Sequence, residues 1–233
     1  MDCLNNYSQK RQKGKSLMKQ NLIIVFVLVL SLIFFSSQSS IAKSKRFITF
    51  EARSGYFDAK SSEWNKIYND VWGLPAGIRI GWRFYKQLEL NAGLSYFSAT
   101  GHGITKSGLR SEEKFKMELI PADISLLYRF SYSLDQFFVP YIGIGLDSVY
   151  FSEKNKSEGK STDGFKTGHH EVIGLALLLD KLDRENARNL KREWGVENSF
   201  LVFEARYSGI NSFGEKGLDL SGITYYIGLL FEF

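Results

Sequence analysis

The chain has 233 residues, with 30 Lys/Arg against 25 Asp/Glu, a formal net charge of +5 and a single cysteine, Cys3. Five of the basic residues, one acidic residue and Cys3 lie in the first 42 positions, leaving 191 residues with 25 basic against 24 acidic side chains and no thiol. That balance gives no basic surface for nucleic acid, and residues 43–233 can form neither a disulfide nor a thiolate metal site.

The first segment reads as an export signal. Leu22 to Phe35 is apolar but for one serine, and Lys10, Arg11, Lys13, Lys15 and Lys19 precede it. Ser40-Ile41-Ala42 follows, with small residues at the two positions that a signal peptidase reads. A basic stretch, a short apolar run and a small-x-small site predict a cleaved secretory signal peptide over 1–42. The alternative, an uncleaved membrane anchor, is disfavoured because fourteen helical residues span only about 21 Å. Met18 is an alternative start, since 1–17 adds nothing that export needs. Cys3 precedes the apolar run, so a lipoprotein anchor is not expected.

From residue 43 onward the pattern is alternation. Successive side chains of a strand point to opposite faces, and apolar residues at every second position mark a strand with one apolar face. Ile48, Phe50, Ala52 and Tyr56 form the first set. Ile78, Ile80, Trp82 and Phe84 form the second, and Leu88, Leu90, Ala92, Leu94 and Tyr96 the third. Ile124, Leu126, Tyr128 and Phe130 follow, then Ile142, Ile144, Leu146 and Tyr150. Phe165 to Leu177 is the weakest, because His169, His170 and Glu171 blur its faces. Leu201, Phe203, Ala205 and Tyr207 precede the clearest set, Ile223, Tyr225, Ile227, Leu229, Phe231 and Phe233. Eight strands are predicted. No stretch after Ala42 is apolar for eighteen residues, so no membrane helix is expected there.

The connections alternate in length. Tyr85–Gln87 and Ser131–Gln136 are short, whereas Asp58–Leu74, Thr100–Glu113, Glu153–Lys166 and Gly209–Leu218 are long. Short turns on one rim and long loops on the other are the habit of transmembrane barrels. Asp180–Trp194 breaks the habit, because it sits where a third short turn belongs. Leu179, Leu182, Ala187, Leu190 and Trp194 fall on one side of a helix of about four turns, which Gly195 can stop. It is expected to cap the lower rim or lie on the membrane surface; a docking site for a periplasmic partner is the alternative.

A closed barrel satisfies every backbone donor and acceptor in lipid, which an open sheet does not. The alternation turns Tyr56, Trp82, Tyr96, Tyr128, Tyr150, Tyr207 and Tyr225 outward. It turns Gly77, Gly81, Gly93, Gly143, Gly145 and Gly228 inward, where they relieve crowding. Phe50-Glu51-Ala52-Arg53 recurs as Phe203-Glu204-Ala205-Arg206. With Arg79, Arg83, Glu89, Asp123, Arg129 and Asp147 these inward charges predict a mutually neutralising lumen network, since buried charges need partners. A gated ion pathway is the alternative.

The stretches PYIGIGLDSVYF (140–151), GHHEVIGLALL (168–178) and ITYYIGLLFEF (223–233) carry a resemblance to the small eight-stranded outer-membrane β-barrels, the OmpA-, OmpX- and OmpW-like group. The resemblance implies a closed antiparallel up-and-down barrel over 43–233 in the cell outer membrane. Partners would be outer-membrane lipid and lipopolysaccharide. Tyr225, Ile227, Leu229, Phe231 and Phe233 would form the signal read by the barrel assembly machinery. Function within such a group varies: structural or surface-binding barrels, narrow porin-like channels for small or hydrophobic solutes, and lipid A-modifying hydrolases or acyltransferases. The long loops favour the first, with Trp64, Tyr68, Trp72 and His102 as candidate contacts for an extracellular ligand. Mixed lumen charges argue against the second. The third lacks support: His102, His169 and His170 are expected on a solvated rim, adjacent strand residues face opposite ways, and no His-x-Ser pairing is present. No catalytic residue, metal or cofactor is expected.

Overall fold

The structure is a computed structural model that describes residues 47–233, apart from 69–73, 86, 105–109, 134–135, 158 and 213–217. The proposed leader, Met18 and Trp72 lie outside the described residues. Eight strands close into one antiparallel barrel in chain order, β1 (Phe47–Ala59), β2 (Ala76–Arg83), β3 (Leu88–Ile104), β4 (Arg110–Arg129), β5 (Phe138–Asn155), β6 (Ser161–Leu178), β7 (Asn198–Gly209) and β8 (Gly222–Glu232), with β8 pairing back to β1. Helix α1 (Ser62–Ile67) follows β1, and α2 (Arg184–Trp194) joins β6 to β7. Among the described residues no helix is long and apolar enough to cross a membrane.

Hydrogen-bonded neighbours traced once round the barrel begin at Thr49, pass Asn91, Gly145 and His170, and return to β1 at Ala59, ten residues further on. That stagger tilts the strands and gives a bore that side chains fill. The predicted faces hold. Ile48, Ile78, Leu94, Ile124, Ile144, Tyr225 and Leu229 are exposed on the outside, while Glu51, Arg79, Asn91, Ser125 and Glu204 are buried inside. The outward residues form an apolar belt edged by aromatics.

In two of the four long loops most of the described residues are instead strand. β3 and β4 continue to Ile104 and Arg110, and β5 and β6 pair as far as Lys154↔Ser161. β4 alone has 20 residues, about 66 Å at 3.3 Å per residue, twice what a membrane-crossing strand needs. Beyond Ile120 its outward positions turn from apolar to Glu118 and Lys116, so its far half projects from the belt as a hairpin. The apolar rhythm stops there because neither face is buried in lipid.

The break in the short-turn rule is a 3₁₀ turn, Leu179–Lys181, followed by α2. The predicted single helix is interrupted at Asp183, whose carboxylate accepts from the Asn186 N–H at 3.0 Å and caps α2. Gly195 ends it in the left-handed region, φ 72°. None of the α2 residues is buried.

Candidate functional site

The barrel interior is built in layers. Near the strand ends that carry the termini, Leu127, Val139, Tyr141, Val172, Ala176, Leu178, Phe200, Val202 and Leu230 pack together. Gly174 makes room for Tyr141: a Cβ there would lie 2.2 Å from its ring. The ten charges expected to face the lumen all do so, and all are buried.

Glu204 is their hub. It accepts from Arg79 at 2.8 and 2.9 Å, from Arg53 at 3.2 Å and from the Tyr141 hydroxyl at 2.9 Å. Arg79 also reaches Glu51 at 3.2 Å. Asp123 accepts from Arg53 at 3.3 Å and Arg206 at 3.0 Å, and Arg206 donates further to Asp147. Lower down, Arg129 pairs with Glu89 at 2.7 Å, Thr49 donates to Glu89 at 3.0 Å, and Arg83 pairs with Glu232. The repeated Glu-x-Arg of β1 and β7 thus meets across the barrel as Arg53–Glu204. These ties join β1, β2, β3, β4, β5, β7 and β8 across the bore, where a buried charge without a partner would be costly.

Two members were absent from the expected set. Glu232 falls on the inward register of the last strand, so its place was readable from the alternation. His170 was expected on a solvated rim; it is instead 1% exposed, with Nδ1 3.0 Å from Asp147 Oδ2 and from Arg206 Nη2. Gly145 on the neighbouring strand leaves space for its ring. His169, one residue earlier, faces out, and His102 is partly buried on β3 with Nδ1 3.3 Å from the Ser111 carbonyl oxygen.

Above the charges the mouth is stopped by its own first connection. Trp64 and Tyr68 were expected as exposed contacts, but they are 8% and 5% exposed. They pack with Phe97, Met117, Leu119, Val149, Ile210 and Leu220, and Phe57 borders them. Ser61 caps α1 by accepting from the Trp64 N–H, and the Trp64 ring lies 4.6 Å from Tyr68 and 6.2 Å from Phe97. The Tyr68 hydroxyl donates to Glu153 at 2.5 Å; burial, then this carboxylate, pushes its pKa up. Gly101 permits the fit, since a Cβ there would stand 1.9 Å from the Ile67 carbonyl oxygen. Aromatic side chains in a polar stretch fill a hole here rather than greet a ligand. Among the described residues no three His, Cys, Asp or Glu side chains form a metal cluster.

No protein-family profile matches the chain, and no curated protein matches it. Solved structures do. The outer membrane protein OprG from Pseudomonas aeruginosa superposes with a TM-score of 0.53 at 13% identity, covering 81% of this chain and 95% of that one. The N-terminal β-barrel domain of Pseudomonas aeruginosa OprF gives 0.47 at 16% identity, covering 80% and 97%. Neisserial surface protein A gives 0.47 at 15%, covering 82% and 98%. The likeness is one of fold: a small, closed, eight-stranded barrel of the outer-membrane kind.

Proposed function

We propose that this barrel of the small outer-membrane type is an integral outer-membrane protein with a sealed lumen, acting as a structural and surface-binding scaffold rather than as a channel or a catalyst. The observation that carries the reading is the double closure of the bore, by the Glu204-centred ion network and by the α1 plug above it. A conducting pore needs a continuous polar path, and here paired charges of both signs meet an aromatic stopper. The hairpins β3–β4 and β5–β6 stand clear of the belt and present the surface that an extracellular ligand would meet, in place of the buried Trp64 and Tyr68. Phe47 and Phe233, at the start of β1 and the end of β8, lie on the opposite rim with α2, which favours an outward orientation of the hairpins.

Expression with residues 1–42 followed by isolation of outer membranes tests the reading. The expected result is a heat-dependent mobility shift in the outer-membrane fraction, with the N-terminus near Lys43. A periplasmic protein with no shift would refute it.

A further inference from the structure

The apolar belt is not uniform round the barrel. Ile144, Leu146 and Ile173, on β5 and β6, are 63–65% exposed, against 45–50% for Ile78, Leu94, Ile124, Tyr225 and Leu229 elsewhere on the belt. Beside this ridge a hollow of about 480 Å³ opens over β6, β7 and β8, lined by Ile173, Leu175, Phe203, Ala205 and Tyr225. It opens at Ala205 because that small residue stands between the outward aromatics Phe203 and Tyr207 of β7.

Ridge and hollow come to the same height. The register joins Ile144 to Glu171, Glu171 to Tyr207, and Ile173 to Ala205. With the strands tilted by about 40°, each step along the register from β5 toward β7 climbs about 3 Å toward the hairpin rim, and each residue along a strand rises about 2.5 Å. Tyr207 therefore stands about 6 Å above Ile144, and Ala205, two residues below Tyr207, comes within about 1 Å of the level of Ile144. The ridge is thus one strand to one side of β6, and the hollow one strand to the other.

Between them, on β6, the belt carries a charged pair. His169 Nε2 stands 3.6 Å from Glu171 Oε1, and both side chains are about half exposed. The belt continues beyond the pair toward the hairpins, where Tyr150 and Phe165 pack 5.2 Å apart. A charge on the lipid face costs stability, and ionisable side chains in a membrane turn toward partners. The lumen network lies on the other side of the sheet. A hydrocarbon chain can fill a hollow but offers a carboxylate nothing.

We propose that this face is the interface of a homodimer in the membrane, with its two-fold axis along the membrane normal beside β6. A two-fold contact is self-complementary: what lies to the left of the axis on one copy faces what lies to the right of it on the other. The Ile144–Leu146 ridge of each copy enters the Ala205 hollow of the other. Near the axis, His169 and Glu171 of one copy meet the same pair of the second, so each carboxylate lies beside two imidazoles. Polar groups bonded across an interface in lipid help to hold it and fix its register. The inference rests on the outer-membrane reading above.

Site-directed cross-linking tests it, in the full chain carrying Cys3→Ser and refolded into phosphatidylcholine vesicles. Facing sheets pack about 10 Å apart, so a short bismaleimide is the linker. Ile173→Cys, beside the axis, should give a covalent dimer, and Ile78→Cys, on the far side of the belt, should not. The dimer fraction across protein-to-lipid ratios reads the association. Glu171→Leu should weaken it at least about fivefold, because symmetry removes the polar contact twice. Ala205→Phe, which fills the hollow, should weaken it at least about tenfold. Cross-linking no greater at 173 than at 78, or an association unchanged by either substitution, would overturn the proposal and leave the hollow to lipid. A heat-dependent gel shift on the same samples reports barrel closure independently, so a chain that never shifts would refute the outer-membrane reading itself.

Discussion

Replacing Glu204 by Gln removes the charge on which the lumen network converges while keeping the side chain's volume. Arg79 would lose two charge-assisted bonds, at 2.8 and 2.9 Å, and Arg53 one at 3.2 Å. Each such bond is worth about 1.5–3 kcal/mol in isolation, but the losses do not simply add. Arg79 keeps Glu51 at 3.2 Å and Arg53 keeps Asp123 at 3.3 Å, and the Gln carbonyl still accepts one bond. Breaking a buried pair from one side costs about 3–5 kcal/mol, and the retained partners put this variant near the lower end, about 3 kcal/mol. Urea unfolding of the barrel refolded into lipid vesicles, followed by tryptophan emission and by the gel shift, reads the change. A double-mutant cycle with Arg79→Leu should return a coupling of about 2 kcal/mol or more. A loss below about 1 kcal/mol, with no coupling, would mean that water solvates the arginines and that the lumen is not sealed.

Gly101→Val should drive α1 out of the mouth, because its Cβ would meet the Ile67 carbonyl oxygen at 1.9 Å; faster hydrogen exchange across 62–68 with an unchanged gel shift is the expected result. Tyr68→Phe removes the hydroxyl that donates to Glu153 and should loosen the plug by about 1.5–3 kcal/mol, read as protease sensitivity in the same segment. At the other rim the backbone N–H of Asn186 holds the Asp183 carboxyl below its usual range of 3.8. A depressed folded value means that its stabilisation of α2 is present above the unfolded value and is lost as pH falls through the folded one. Protection of the Asn186 amide relative to its intrinsic exchange rate should therefore fall below about pH 4, and Asp183→Ala should abolish that dependence.

The barrel itself was readable because lipid and lumen impose opposite chemistry on alternate residues, so Ile223 to Phe233 announced both its faces at once. The same rule put Glu51, Arg79 and Glu204 in one interior before any contact was known. It failed where the environment stops alternating. From Ser111 to Lys114 there is no apolar side chain on either face, so no apolar rhythm survives and the strand reads as a loop. Trp64 and Tyr68 sit in a polar stretch whose folding back into the mouth is a tertiary event, with only the Ser61 cap as a local sign. His170 was half read: period two already set it opposite His169, and the glycine at 145 marked the space it fills. Its partners Asp147 and Arg206 lie 23 and 36 residues away, beyond any local pattern.

The central claim is that the bore is closed, and conductance tests it most directly. The refolded full chain, shown to be closed by its gel shift, should insert into planar bilayers and leave the current at baseline under an applied potential. Regular, reproducible conductance steps from the wild-type protein would contradict the account, and would make the Glu204 network the lining of a path rather than its seal.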